Sequence, residues 1–228
     1  MLPTTFPTKT TLQSVLSSPR FDTYLLACDN DSYKASQLYA WNAAVSAASM
    51  LPAHFAEISI RNAASYVLER VYGSRWPWEE TFLRSLPAPR GRKYNPRSDL
   101  EMVSRRYTTT GKVIAELKLA FWAKLFTARN DTRLWEPNIL NALPGSQHTD
   151  TRILRAHVYT RLNALRRLRN RIAHHEPIFT RELNQDLIGM KELIRLRSTS
   201  VSEWVSQLET VSPLLPLKSQ YLHRTCGY

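Results

Sequence analysis

The sequence predicts an all-helical chain. Glycine is scarce, at six residues in 228; the long segments repeat their apolar residues at helical spacing, and alternating Val/Ile/Thr-rich runs bounded by turn signals are nearly absent. The length fits one domain. Hydrophobic residues make up 43% of the chain and charged residues 22%, enough to bury a real core and too much for a disordered basic tail. The expected organisation is a flexible N-terminal arm over residues 1–10 and a single helical bundle, with extra peripheral helices, over 11–228.

The elements follow in order. Thr11 to Asp29 reads as one or two short helices with a break at Ser18-Pro19. Asp29, Asn30, Asp31 and Ser32 offer N-cap oxygens for a long helix running to about Met50. Pro52 then opens a second helix to about Tyr72, ended by Gly73, which predicts an antiparallel hairpin. The segment from Pro87 to Arg97 holds three prolines, one glycine, four positive charges and no acid, the composition of a basic surface loop. Gly111 to about Thr127 carries Val113, Leu117, Ala120, Phe121 and Leu125 at core-helix positions, with Lys124 the one departure. Leu143-Pro144-Gly145-Ser146 breaks the chain. Asp150 or Thr151 caps a helix reaching His174 or His175 and stopped near Pro177, and two weaker helices follow at about 181–197 and 200–211.

Charge and cysteines narrow the function. Lys and Arg number 31 against 19 Asp and Glu, a net charge of +12, which points to nucleic acid or an acidic protein partner. The two cysteines, Cys28 and Cys226, have no metal-ligand or redox spacing, so a reducing cytoplasm is expected. Met1 to Thr11 holds Pro3, Pro7 and threonines where a secretory signal needs an apolar stretch. Leu38 to Phe55 lacks charged residues, but Asn42, Ser46, Ser49, Pro52 and His54 interrupt it, so a buried core helix is expected and no membrane contact.

The most informative stretch is Arg161 to Pro177. Between Thr151 and His175 stand seven arginines and no acid. At about 100° per residue, Leu154, Val158, Leu162, Leu165, Leu168 and Ile172 share an arc roughly 120° wide that faces the core. Arg169 falls within that arc, where an unpaired guanidinium is costly to desolvate, so it is expected to have a partner or a site. Asn170 and His174 share a face. Arg169 and His174 lie about 140° apart and cannot pair within one straight helix, so a site using both closes at a helix end or across two copies.

Arg169-Asn170-Arg171-Ile172-Ala173-His174 resembles the motif of the HEPN superfamily, an arginine followed by a polar residue and, a few positions on, a histidine. Leu38-Tyr39-Ala40-Trp41-Asn42, Glu57 to Asn62, the helix from Ala115 to Trp122, and the run on to Ile178 are together similar to its Abi-like, abortive-infection branch, over about residues 35–180. The resemblance implies a HEPN-type bundle that forms a homodimer with two motifs facing each other. It also implies a metal-independent endoribonuclease that needs no cofactor, with Arg169, Asn170 and His174 catalytic. His175, Glu57, Arg61 and Asn62 would support the motif. The chemistry suits these side chains: imidazole, ordinarily titrating near neutrality, moves protons while arginine stabilises charge on phosphate. Products would be a 2′,3′-cyclic phosphate and a 5′-hydroxyl, and DNA would be spared.

Each residue also has a plainer role. His174 and His175 complement a helix macrodipole, and Glu57 and Arg61 form an ordinary i,i+4 pair. The basic loop, with Arg90, Arg92, Lys93, Tyr94 and Arg97, has the cations and the stacking ring that RNA binding uses, and Arg166 and Arg171 join it as expected RNA contacts. Trp41, Trp76, Trp78, Trp122, Trp135 and Trp204 read as core or interface, with Trp76-Pro77-Trp78 the least firmly buried pair. HExxH, P-loop, GxSxG and GxGxxG motifs are absent from the sequence, and the acids are too scattered for a two-metal nuclease. The expected function is therefore RNA cleavage in phage defence or as a toxin. Transfer RNA is one candidate target, and an acidic antitoxin or regulator a candidate partner. The alternatives are a catalytically silent HEPN module that binds RNA or protein, and a basic helix entering a DNA groove.

Overall fold

In the computed structural model, which describes residues 6–91 and 93–221, the chain is helical and no strand occurs among the described residues. Helix α1 (Lys9–Leu16) is capped by Thr8, and α2 (Ser18–Ala27) starts after Ser17, whose φ of 73° makes the corner. Two residues of the expected arm, Lys9 and Thr10, thus already belong to α1, while 1–5 lie outside the described residues. The Asp31 carboxylate accepts from the amides of Tyr33 and Lys34 and opens α3 (Ser32–Tyr72), which ends at Gly73.

The expected hairpin at Met50-Leu51 does not form, because α3 is one helix of 41 residues running through Pro52. Neither Met50 nor Leu51 is a residue that readily adopts the left-handed conformation a helix stop needs. Alanines flank the proline on both sides, and propensity favours continuation. An interior proline costs about 3 kcal/mol through its missing donor and its clash, a penalty offset by burying the ring with Ser49, Ala53 and Ala56. Along α3, Leu38, Trp41, Val45, Ile60, Val67 and Leu68 are fully buried. By length and composition alone α3 could cross a membrane; in the fold it packs on α2, on α9 (Thr151–Ala173) and on α10 (Leu183–Arg197).

Past a 3₁₀ turn at Trp76–Trp78 come α4 (Glu80–Ser85) and α5 (Pro96–Arg106). The basic loop is therefore shorter than expected, since Asn95 caps α5 and Pro96 opens it. The single helix expected over 111–127 is two, α6 (Thr110–Glu116) and α7 (Leu119–Leu125), joined by extended backbone at Leu117 and Lys118. Leu117 and Leu119 are both buried, at 0% and 7% exposure. Two apart on one helix they would point about 160° away from each other, whereas in extended chain they share a side.

A 3₁₀ turn, a π turn at Asp131–Trp135 and the short α8 (Ile139–Ala142) lead to α9, capped by Asp150. Leu154, Val158, Leu162, Leu165 and Leu168 bury the expected face, with Ile172 partly covered at its end. Contacts to two acids fix α9 laterally. Arg155 grips Asp131 through two bonds of 2.7 and 3.0 Å, and Arg161 and His157 reach Glu192 on α10 at 2.9 and 3.0 Å. Helix α11 (Thr199–Leu208) packs on α10. Trp41, Trp76, Trp122 and Trp135 are fully buried as expected, Trp78 is partly covered, and Trp204 is the exception at 52% exposed, its ring edge-on to Phe55.

Gly145 docks the α8–α9 connection on the end of α10. Its amide donates to the Leu196 carbonyl at 3.0 Å, and its own carbonyl accepts from Arg195 at 3.2 Å. A Cβ there would stand 2.1 Å from the Arg195 carbonyl oxygen, which is backbone and cannot rotate away. Gly145→Ala is expected to destabilise the fold by about 1–3 kcal/mol, read as a fall in thermal midpoint of roughly 2–4 °C per kcal/mol. The exposed substitution Gly111→Ala, where a Cβ meets nothing, is the matching control.

Candidate functional site

The last turns of α9 overhang the break between α6 and α7. There Leu168 stays buried and Ile172 partly covered, but Arg169, expected inside the apolar arc beside them, is exposed. Helical periodicity gives the direction of a side chain but not what covers that turn. Among the described residues no hydrogen bond or ion pair holds Arg169. With Asn170, Arg166 and Arg61 it lines a cavity of about 480 Å³ that the segment Ala115–Ala120 completes.

Arg61, on α3, is the anchor of this cavity. It pairs with Glu57 one turn back, and its Nη1 donates to the Ala115 carbonyl at 3.1 Å, a group the α6 terminus leaves without a helical partner. Its Nε is buried without a partner. Burial pushes the Arg61 pKa down, Glu57 opposes that shift, and the nearby Arg169 adds to it. Three guanidinium groups thus surround one cavity with Glu116 the only acid in its lining. Converging arginines repel each other unless an anion sits among them, and their planar donors suit phosphate or carboxylate oxygens.

The histidines stand apart from this cavity. The His174 amide donates to the Asn170 carbonyl at 3.0 Å, ending α9, and its side chain is exposed outside the lining. His175 has φ 55°. Its amide bonds back to Ile172 at 3.0 Å and that of Glu176 to Arg171 at 2.8 Å, the pattern that terminates helices on a left-handed residue, usually glycine. His175 occupies that position, its carbonyl accepts from Arg20, and its ring lines a separate hollow of about 270 Å³ with Tyr24, Tyr39 and Asn42. Asn42 Oδ1 accepts from the amides of Ile178 and Phe179 at 2.8 and 3.1 Å, tying the segment after the motif to α3.

Among the expected supports, Glu57 and Arg61 are brought to the motif, while Asn62 is exposed and outside the cavity lining. Of the expected RNA contacts, Arg166 lines the cavity, Lys93 lines a neighbouring cleft and Arg90 is exposed. Arg92 lies outside the described residues. Three others are already engaged. Arg171 reaches Glu176 at 3.5 Å across the helix end. Arg97 donates to the carbonyls of Arg84 and Leu86 at 2.6 and 2.9 Å, holding the loop to α4. Tyr94 donates its hydroxyl to Asp99 at 2.5 Å, and burial together with that carboxylate pushes its phenol pKa up. Loop cations are assigned to solvent by composition, but a loop also has carbonyls to satisfy, and nearby arginines take them. Lys124 and Arg129, both exposed, were not among the candidates; the lone lysine on an apolar helix face was the signal for the first.

Among the described residues no group of three or more His, Cys, Asp or Glu side chains is placed to hold a metal ion. Removing Glu57 leaves Arg61 largely buried beside Arg169 without its counter-charge. Glu57→Ala should therefore destabilise the fold by about 2 kcal/mol or more in urea titration, whereas Asn62→Ala should stay within about 0.5 kcal/mol; equal effects would remove Glu57 from its supporting role. Compared with known proteins, the chain matches no family model, no curated protein and no solved structure, so the chemistry of the site rests on its own residues.

Proposed function

We propose that this chain is a HEPN-type, metal-independent endoribonuclease of the abortive-infection kind, acting in the cytoplasm as a homodimer. The observation that carries the reading is the convergence of Arg169 and Asn170, the first two residues of the motif, on a cavity that already holds Arg61 and Arg166. Those guanidinium groups bind the scissile phosphate and stabilise the charge that builds on it. His174, exposed one turn beyond Asn170, serves as general base and takes the proton from a ribose 2′-hydroxyl. The 2′-oxygen bonds to phosphorus, the bond to the 5′-oxygen breaks, and a second histidine returns a proton to that leaving oxygen. The second histidine is the partner copy's, because each chain brings one motif histidine and the two motifs of the homodimer face each other. The products are a 2′,3′-cyclic phosphate and a 5′-hydroxyl. Transfer RNA is a suitable target, and an acidic antitoxin would engage the same cations.

The separation of His174 from the cavity favours one other reading, a silent module in which the arginines bind RNA and nothing cleaves it. Incubation of cellular RNA with the purified protein in EDTA, followed by mapping of ends, distinguishes the two. Wild type is expected to leave cyclic phosphates. His174→Ala should lose at least about 100-fold in cleavage while keeping most of its RNA affinity, and Arg169→Ala should lose both. Binding without cleavage by a folded wild-type dimer supports the silent module, and cutting abolished by EDTA overturns the mechanism.

A further inference from the structure

Three openings on one face share lining residues end to end. The arginine cavity meets a hollow of about 220 Å³ at Ala120 and Arg166, and that hollow meets a cleft of about 510 Å³ at Tyr94 and Lys124. Together they form one groove from the end of α9 to the loop before α5. Its lining holds seven cationic side chains and one acid, Glu116. The chemistry changes along it. Arg61, Lys118, Arg166 and Arg169 crowd the first end, Lys124 stands exposed where the middle hollow meets the far cleft, and Pro87, Pro89, Pro96 and Tyr94 wall that cleft, with Lys93 and Arg129 beside them.

We propose that this groove seats a single strand of RNA, with one phosphate among the arginines, the backbone passing Lys124, and one unpaired base in the proline and tyrosine cleft. The proposal rests on the reading of the chain as an RNA-acting protein and adds the path of the strand. Cations spaced along a groove follow a sugar-phosphate chain, and a flat apolar cleft takes the face of a base. A duplex, whose bases are stacked inside, has none to offer it. The bond from Tyr94 to Asp99 fixes the ring before the strand arrives, so less ordering is required on binding. Lys118, at 3.5 Å from Asp99, ties the same carboxylate to the α6–α7 break, so both ends of the groove depend on one buried acid.

The test is fluorescence anisotropy with a labelled 2′-O-methyl RNA of about 12 nucleotides, a length in the range of known single-strand sites and chemically unable to be cleaved. Over a salt series, Lys124→Ala should reduce the slope of log affinity against log salt by about 0.7, the value for one phosphate contact on a single strand. Arg129→Ala should do the same, and Lys9→Ala, on exposed α1, should change nothing. Tyr94→Ala should weaken binding about 5- to 100-fold, the loss of one stacked base; Pro89→Ala tests the same cleft without disturbing the buried hydroxyl. The same sequence as a duplex should bind at least tenfold more weakly. An unchanged slope in Lys124→Ala or equal affinity for the duplex overturns the proposed path, whatever the outcome of the cleavage assay. Loss of cleavage in His174→Ala with the salt slope intact keeps the groove and the catalytic reading separate. Displacement of the RNA by polyglutamate at lower concentration than by unlabelled RNA would assign the groove to an acidic protein instead.

Discussion

Burying Leu117 and Leu119 together forces the chain out of helix at one point, and much of the site follows from that constraint. The extended pair leaves the Ala115 carbonyl at the end of α6 without a helical partner, and Arg61 donates to it from α3. A buried guanidinium needs a counter-charge, which Glu57 supplies from one turn earlier on the same helix. The same break leaves a recess beneath the last turns of α9, so Arg166, Arg169 and Asn170 face open space rather than side chains. A packing requirement of two leucines and the positioning of three arginines are therefore one structural event.

The positive charge is divided between two tasks. Arg155 and Arg161 fix α9 to Asp131 and Glu192, Arg97 and Arg197 satisfy carbonyls at and just past the ends of α4 and α8, and Arg195 that of Gly145 in the α8–α9 connection. These cations serve the fold, and their charge is largely neutralised or held by backbone dipoles. The cations left over gather along one face, from Arg166 and Arg169 to Lys93 and Lys124, with Arg61, paired to Glu57, and Arg129, bonded to the Ser85 carbonyl, beside them, and acids are nearly absent there. A net charge counts both sets equally; only the second can hold an anion from solution.

The end of α9 is fixed by its own terminating turn and by contacts from distant helices. His175 adopts the left-handed conformation that stops the helix, and Asn42 holds the following strand of backbone against α3. A non-glycine residue there carries a conformational cost of about 1 kcal/mol, offset by the two backbone bonds of the terminating turn and by the contact from Arg20. Its neighbour His174 is left exposed at the helix end.

Local chemistry made much of this protein legible in its sequence. Helix class, the capping clusters at 29–32 and 150–151 from which the structure uses Asp31 and Asp150, the buried face of α9 and the basic segments all rest on interactions within a few residues, which periodicity and side-chain type express directly. The i,i+4 pair of Glu57 and Arg61 was legible for the same reason. The continuity of α3 through Pro52, the break at Leu117, the exposure of Arg169 and the engagement of Tyr94 and Arg97 were decided elsewhere. Each depends on which distant element covers a given turn, and on whether burial there outweighs a local preference of a few kcal/mol. Sequence sets the direction of each side chain along its helix; the tertiary arrangement alone determines whether it meets a core, a carbonyl or an open groove.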